Sequence, residues 1–296
     1  MEAMRGVEVV EQRAKSIINA VPGMPFSWSI NPYRGCYHQC RFCYARRTHR
    51  YLEEDGVERW GSRIFVKVNA PTVVRSELAR NRAIDQVAIG TATDPYQPLE
   101  GTYRVTRGIL EALRDYRVSS GIITRSPLVV RDIDVLQSLA AVAGVSVSIS
   151  VATMDADLAR EIEPTVAPPA QRMRAVRMLA EAGIAVNVAL APILPQLTDR
   201  ADSIDAVVRA AQEAGATRVW HNALNLHDIT RDAFFGYLRE RRPELIASYA
   251  TLYKGTYAPQ AVSREIDARV ASARERFPAR ALERIPTRAV VQLSLI

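Results

Sequence analysis

Beyond residue 43 the 296-residue chain contains no cysteine. Its only three, Cys36, Cys40 and Cys43, lie together in NPYRGCYHQCRFCYAR. An odd count crowded on one loop, with no apolar leader in MEAMRGVEVVEQRAK, argues against a disulfide framework and the oxidising compartment that sustains one. The same scarcity leaves no cysteines for a second cluster domain. Lysine is almost missing as well: of 39 basic residues only Lys15, Lys67 and Lys254 are Lys. That skew reflects genome base composition, and most of the arginines alternate with acids, as in RSELARNRAID and RVASARERF. The formal charge of +7 therefore reads mainly as solvated faces. The exception is Arg41, Arg46, Arg47 and Arg50, gathered beside the cysteines. No apolar run approaches the roughly 20 residues that span a bilayer, so no membrane partner is expected and a cytoplasmic location is. There is no internal repeat and no low-complexity tract.

What is present is an alternation of short β-branched runs with amphipathic segments of 3.6 period, the pattern of βα units on a parallel sheet. Strands are expected at SWSINPY, QVAIGTA, VSSGIIT, VSVSIS, IAVNVALA and ATRVWHNA. Helices are expected at APTVVRSELAR, TYRVTRGILEALRDY, VRDIDVLQSLAAV, PPAQRMRAVRMLAEAG and SIDAVVRAAQEAG. Six such units fit a partial (β/α)6 barrel of α/β class. After Thr230 the pattern changes to helices alone, broken by Pro243 and the Gly255–Pro259 turn. The expected division is an N-terminal arm over 1–26, the barrel over 27–229 and a helical extension over 230–296 that closes the open side or the bottom of the barrel.

Three thiolates on a C-x3-C-x2-C loop can hold three irons of a cubic cluster. Clusters ordinarily take four cysteines, so a chain owning three leaves one iron open for chemistry. The alternative is a Cys3His zinc site completed by His38 or His49. Zinc motifs, however, draw their ligands from two separated arms, and this loop is a single cluster.

The spacing C-x3-C-x2-C, with Phe42 directly before the last cysteine, resembles the signature of radical S-adenosylmethionine (SAM) enzymes. The flanking NPYRGC, CYARRTHRYL, TDPYQPLE, GIITRSP and VALAPILPQLTD are similar to the spore photoproduct lyase-like branch, from about Ser29 to about Tyr257. The resemblance implies a partial TIM-like barrel and a 4Fe-4S cluster on Cys36, Cys40 and Cys43. It also implies SAM chelating the fourth iron, oxygen sensitivity, and a one-electron donor of flavodoxin or ferredoxin type. The implied chemistry is reductive cleavage of SAM to a 5′-deoxyadenosyl radical that removes hydrogen from the substrate, the cofactor carrying the difficult step.

Barrel chemistry sits at the carboxyl ends of the strands, and the resemblance assigns the SAM contacts there. Thr93 and Asp94 are suited to the methionyl ammonium, although an Asp-Pro turn alone would account for them. Arg125 stands where relatives carry a lysine that would pair with the SAM carboxylate, keeping the charge with different geometry. Ser150 is the outermost of the inward-facing Ser146, Ser148 and Ser150. Ala191, Pro192 and Ile193 match the apolar stretch that packs the adenine, with Phe42 and Tyr44 supporting the ring. Spore photoproduct lyases use a further cysteine as hydrogen donor, which this chain lacks. Tyr96 is the expected substitute, with Tyr33 and Tyr44 as lesser candidates. Glu100, His221 and Asn222 are candidate substrate contacts.

Three readings stay open. The first is a radical SAM enzyme acting on a small molecule or peptide. The second acts on a nucleic-acid lesion or base, with salt-dependent binding. The third is a non-enzymatic iron-sulfur redox sensor.

Overall fold

The computed structural model describes residues 6–52 and 60–279, the side chains of 49–52 aside. Two sheets organise the chain. The smaller joins β1 (Glu8–Gln12), β4 (Tyr33–Arg34) and β5 (Arg63–Lys67) in the order β1-β5-β4. The larger contains β2 (Ile18–Ala20), β3 (Trp28–Ile30), β6 (Gln86–Ile89), β7 (Ser119–Thr124), β8 (Val145–Ser150), β9 (Ala185–Ile193) and β10 (Arg218–Ala223). From β3 through β6, β7, β8 and β9 to β10 every neighbour is parallel, with β2 antiparallel on the outer edge. The six parallel strands are the six expected from the sequence and make the partial (β/α)6 barrel.

Their residues explain this. All six residues of β8 are buried, as a parallel strand covered on both faces requires. The covering helices are amphipathic. In α1 (Ala70–Arg80), Ala70, Val74 and Leu78 form a buried stripe at four-residue spacing. In α3 (Val105–Tyr116), Ile109, Leu110 and Leu113 face inward. These two helices pack closely at Gly108, where a Cβ would come 2.7 Å from Pro71 Cγ. The expected helix from Thr102 to Tyr116 is divided: a short α2 (Glu100–Tyr103) ends at Arg104, whose φ is 51°. Around the sheet follow α4 (Ile133–Ala140), α5 (Ala156–Ile162), α6 (Pro169–Glu181) and α7 (Ala201–Glu213). Helix α5 begins at Asp155, whose carboxylate accepts from the Asp157 and Leu158 amides.

The segment expected as an arm contributes two strands, β1 paired with β5 and β2 paired with β3. The C-terminal helices divide their work. α10 (Gln260–Arg276) packs on α7 and β10. α8 (Asp228–Arg241) and α9 (Ile246–Leu252) build a second apolar core in which Phe234, Tyr249 and Tyr253 pack with Cys40 and Phe42. They thus cover the cysteine loop. Among the described residues no helix is long and apolar enough to cross a membrane.

Candidate cofactor site

The cysteine loop leaves β4 through Gly35, at φ +79°, where a Cβ would lie 2.5 Å from the Arg63 carbonyl oxygen. Only glycine suits that turn. Bonds from distant parts of the chain then fix the loop. Thr93 Oγ1 donates to the Gly35 carbonyl at 2.6 Å and the Tyr37 amide donates to Gln97 Oε1 at 3.0 Å. Thr165 Oγ1 donates to the Tyr37 carbonyl at 2.7 Å, and the Arg41 amide to the Ile162 carbonyl at 2.9 Å. Thr230 Oγ1, on α8, donates to the Cys43 carbonyl at 3.3 Å. An irregular loop is thereby held by the turn after β6, by the C-terminal end of α5 and the residues just after it, and by the C-terminal extension.

The loop forms one wall of a cavity of about 430 Å³, and the carboxyl ends of the barrel strands form the others. Cys36, Cys40 and Cys43 all line it, with free thiols. So do Phe42 and Tyr44 from the loop, Thr93 and Asp94 after β6, Arg125 after β7, Ser150 at the end of β8, and Ala191 and Pro192 on β9. Eleven residues proposed from the sequence thus meet around one space. Ile193 stands behind them, fully buried in the barrel core.

Tyr96, the expected hydrogen donor, is not among the residues lining this cavity. The Asp94-Pro95 turn directs its side chain into the protein, where it is fully buried and its hydroxyl donates to Asp132 Oδ2 at 3.1 Å. Glu100 is likewise internal, accepting from the Tyr33 hydroxyl, the Thr106 amide and Arg131. His221 pairs with Asp267 on α10 at 2.8 Å. Of the candidate substrate contacts, Asn222 lines the cavity. The side chains of His49 and Arg50 lie outside the described residues.

Asp94 has internal partners on both of its carboxylate oxygens. Its Oδ1 accepts from the Tyr96 amide at 2.8 Å and from Thr124 Oγ1 at 2.6 Å. Its Oδ2 accepts from the Arg125 amide at 2.7 Å and lies 3.1 Å from His38 Nε2. Burial alone would raise this carboxyl, but the His38 ring and the donors from Thr124 and Arg125 outweigh it and hold the pKa below the ordinary value. The carboxylate is a clamp joining two strand ends to the cysteine loop.

Arg125 also has internal partners. Its Nε donates to Glu163 Oε1 at 2.8 Å, its Nη2 donates to the Ala191 carbonyl at 3.1 Å, and the guanidinium lies 5.4 Å from the Phe42 ring centroid. The residue as a whole lines the cavity. Glu163 and its second partner, Arg172, were not foreseen from the sequence, nor were the outer lining residues Trp220, Asn225, His227 and Tyr257. His38, a candidate zinc ligand by sequence, faces Asp94 instead.

Burial pushes all three thiols up in pKa, with Arg125 drawing Cys40 and Cys43 back down and Arg46 acting further on Cys43. Neutral buried thiols beside fixed cations are poised to lose protons to a metal, which binds only the thiolate. Among the described residues no group of three or more His, Cys, Asp or Glu side chains converges on one point as the ligands of a single ion do. Three soft sulfur donors spread over the wall of a buried cavity suit an iron-sulfur cluster.

Residues 30–207 match the profile of the Radical SAM superfamily. The chain belongs to the radical SAM superfamily. It is therefore a radical SAM enzyme, and the family implies SAM and an iron-sulfur cluster as its cofactors and SAM-cleaving radical chemistry as its activity. An uncharacterized protein of Mycobacterium tuberculosis is 37% identical over 271 residues, covering 90% of this chain and 80% of that protein. An uncharacterized protein of Methanocaldococcus jannaschii is 30% identical over 195 residues, 65% of this chain and 70% of that one. The structure of spore photoproduct lyase complexed with dinucleoside spore photoproduct has the same fold, with a TM-score of 0.68 at 15% identity over 91% of this chain and 79% of that chain.

Proposed function

We propose that Cys36, Cys40 and Cys43 hold a 4Fe-4S cluster with one open iron, and that this radical SAM enzyme acts on a small-molecule or peptide substrate. The observation that carries the reading is the meeting of three cysteines, with no fourth in the chain, in a cavity otherwise walled by strand ends. When bound, the cluster and SAM supply reductive cleavage to a 5′-deoxyadenosyl radical that removes hydrogen from the substrate. The residues of the chain bind, orient and shield. Arg125, fixed by Glu163 and Ala191, offers its guanidinium to the SAM carboxylate. Phe42, Ala191 and Pro192 offer apolar surface to the adenine, and Ser150 a hydroxyl beside it. Tyr44, whose hydroxyl donates to the Thr91 carbonyl, closes the same side.

The outer end of the cavity, with Asn222, Asn225 and His227, is left for substrate. A nucleic acid is the second reading, favoured by Arg47 and the 67%-exposed Tyr257, both on the cavity wall, a cation for phosphate and a ring on which a base can stack. A flavodoxin- or ferredoxin-type protein would deliver the electron, and free thiols suit a reducing compartment such as the cytoplasm.

Anaerobic reconstitution followed by iron and acid-labile sulfide analysis tests the cluster. About four of each per chain are expected for a 4Fe-4S cluster, with loss in Cys36→Ala, Cys40→Ala and Cys43→Ala. About one zinc per chain and no sulfide would refute it.

A further inference from the structure

Three charged side chains from two neighbouring βα units form a row beside the cysteine loop, with Arg125 20% exposed at the cavity end. Arg172, on α6, is 1% exposed, and Glu163, just after α5, is also 1% exposed. Arg172 Nη2 donates to Glu163 Oε2 at 2.7 Å, while Glu163 Oε1 accepts from Arg125 Nε at 2.8 Å. Arg172 Nη1 donates to the Ser150 carbonyl at 2.8 Å, which ties the row to the end of β8. The neighbouring Ile162 carbonyl accepts from the Arg41 amide, which ties it to the cysteine loop. Burial would raise Glu163, but Arg172 and Arg125 outweigh it and keep the carboxylate ionised. Two cations and one anion leave the row with one net positive charge.

Stability does not explain such a row. Removing three charges from water costs several kcal/mol per ion, and buried ion triads are commonly no better than apolar side chains of the same volume. Uncompensated positive charge in the interior is costlier still unless an anion faces it. The anion is indicated by position: Arg125 lines the cavity together with the three cysteines, and its guanidinium lies 5.4 Å from the ring of Phe42, the residue next to Cys43. A cubic cluster in its oxidised state, held by three thiolates, carries one net negative charge.

We propose that the row Arg125–Glu163–Arg172 sets the electrostatic balance of the cluster, with Glu163 and Arg172 as positioning residues that hold Arg125 in place and trim its charge. The inference rests on the cluster reading above. Glu163 performs two functions: it orients the guanidinium, and it offsets one of two cations so that the field on the cluster is that of a single charge. Charge near a buried cluster moves its reduction potential, because adding an electron is easier beside a cation and harder beside an anion.

The test is a potentiometric titration of anaerobically reconstituted protein followed by electron paramagnetic resonance, with iron and sulfide measured on each sample. Glu163→Gln raises the charge of the row and shifts the midpoint to a more positive potential. Arg172→Gln lowers it and shifts the midpoint to a more negative one. Combining the two substitutions restores the native net charge and returns the midpoint toward wild type, although the packing lesion is then larger. That reversal separates electrostatics from structural damage, which would accumulate in the double variant. Arg172→Lys keeps the charge, stays near the wild-type midpoint and covers the case in which Arg172→Gln folds poorly. A Glu163→Gln protein with a full cluster and an unmoved midpoint overturns the inference, as does a double variant displaced as far as either single one. Wild-type protein that takes up no iron and sulfide overturns the cluster reading, and this inference with it.

Discussion

His38 Nε2 lies 3.1 Å from Asp94 Oδ2, joining the middle of the cysteine loop to the end of the second barrel strand. Asp94 also accepts hydrogen bonds from the turn at Tyr96 and from the third strand at Thr124 and Arg125. This carboxylate adds to the bonds from Thr93, Gln97, Thr165 and Thr230 that fix the loop carrying the three thiols.

Asp94→Asn removes the charge from a site built of three donors and a facing imidazole and leaves some of them facing the amide. A loss of about 2–4 kcal/mol of stability is expected, measured by denaturant unfolding of the apoprotein. The pH dependence has a definite sign. The folded carboxyl titrates below its unfolded value of 3.8, so its contribution is complete above that pH and disappears as the pH falls through the folded value. The gap between wild type and Asp94→Asn should therefore narrow on acidification. A gap that widens in acid would contradict this role.

Lys67 makes the opposite kind of contribution. Burial, assisted by Arg34, pushes its ammonium down from 10.5 to about 8, while Nζ donates to the Asn31 carbonyl at 2.8 Å. Between about 8 and 10.5 the folded chain binds fewer protons than the unfolded one, so stability rises with pH across that window. Relative to Lys67→Met, wild type should gain on the order of 1–2 kcal/mol there, after allowance for the partial exposure of the side chain. Thiols and tyrosines titrate in both proteins and cancel in the difference. A flat difference would show that Lys67 is not desolvated.

Arg125→Ala should weaken SAM binding to the reconstituted protein by roughly 10- to 100-fold, the worth of one charge-assisted hydrogen bond. Arg125→Lys should recover only part of this, since an ammonium cannot satisfy Glu163, the Ala191 carbonyl and a carboxylate in the planar arrangement of the guanidinium. Equilibrium dialysis with labelled SAM reads both. Unchanged affinity in Arg125→Ala would remove the residue from the SAM site.

Tyr96→Phe separates the placement of this residue from its expected chemistry. Loss of the bond to Asp132 should cost about 1 kcal/mol of stability and leave SAM cleavage intact. Loss of turnover at unchanged stability would restore Tyr96 to the reaction.

Much of the barrel was legible in advance because its elements are periodic. Helix α1 has the boundaries that the run APTVVRSELAR gives it, and β8 the span of VSVSIS. The thiol loop was legible because its ligands are contiguous. Residues joined by folding rather than by spacing were not: Arg125 follows β7 while Glu163 and Arg172 follow β8, and no pattern in the chain couples them. Tyr96 was misplaced for a local reason. A polar segment after a strand reads as facing the cavity, whereas the turn at Pro95 sends that ring into the interior. Strands β1 and β2 were missed as sheet members because each is short and half exposed, so the alternation that marks a strand is faint.

The central claim is tested most directly by detecting 5′-deoxyadenosine. Protein reconstituted anaerobically with iron and sulfide, reduced with dithionite and given SAM, is assayed by mass spectrometry beside Cys43→Ala. Formation of 5′-deoxyadenosine in the wild type and its loss in Cys43→Ala is the predicted result. Equal amounts in both proteins, or none from wild type carrying a complete cluster, would contradict the assignment of this cavity to SAM cleavage.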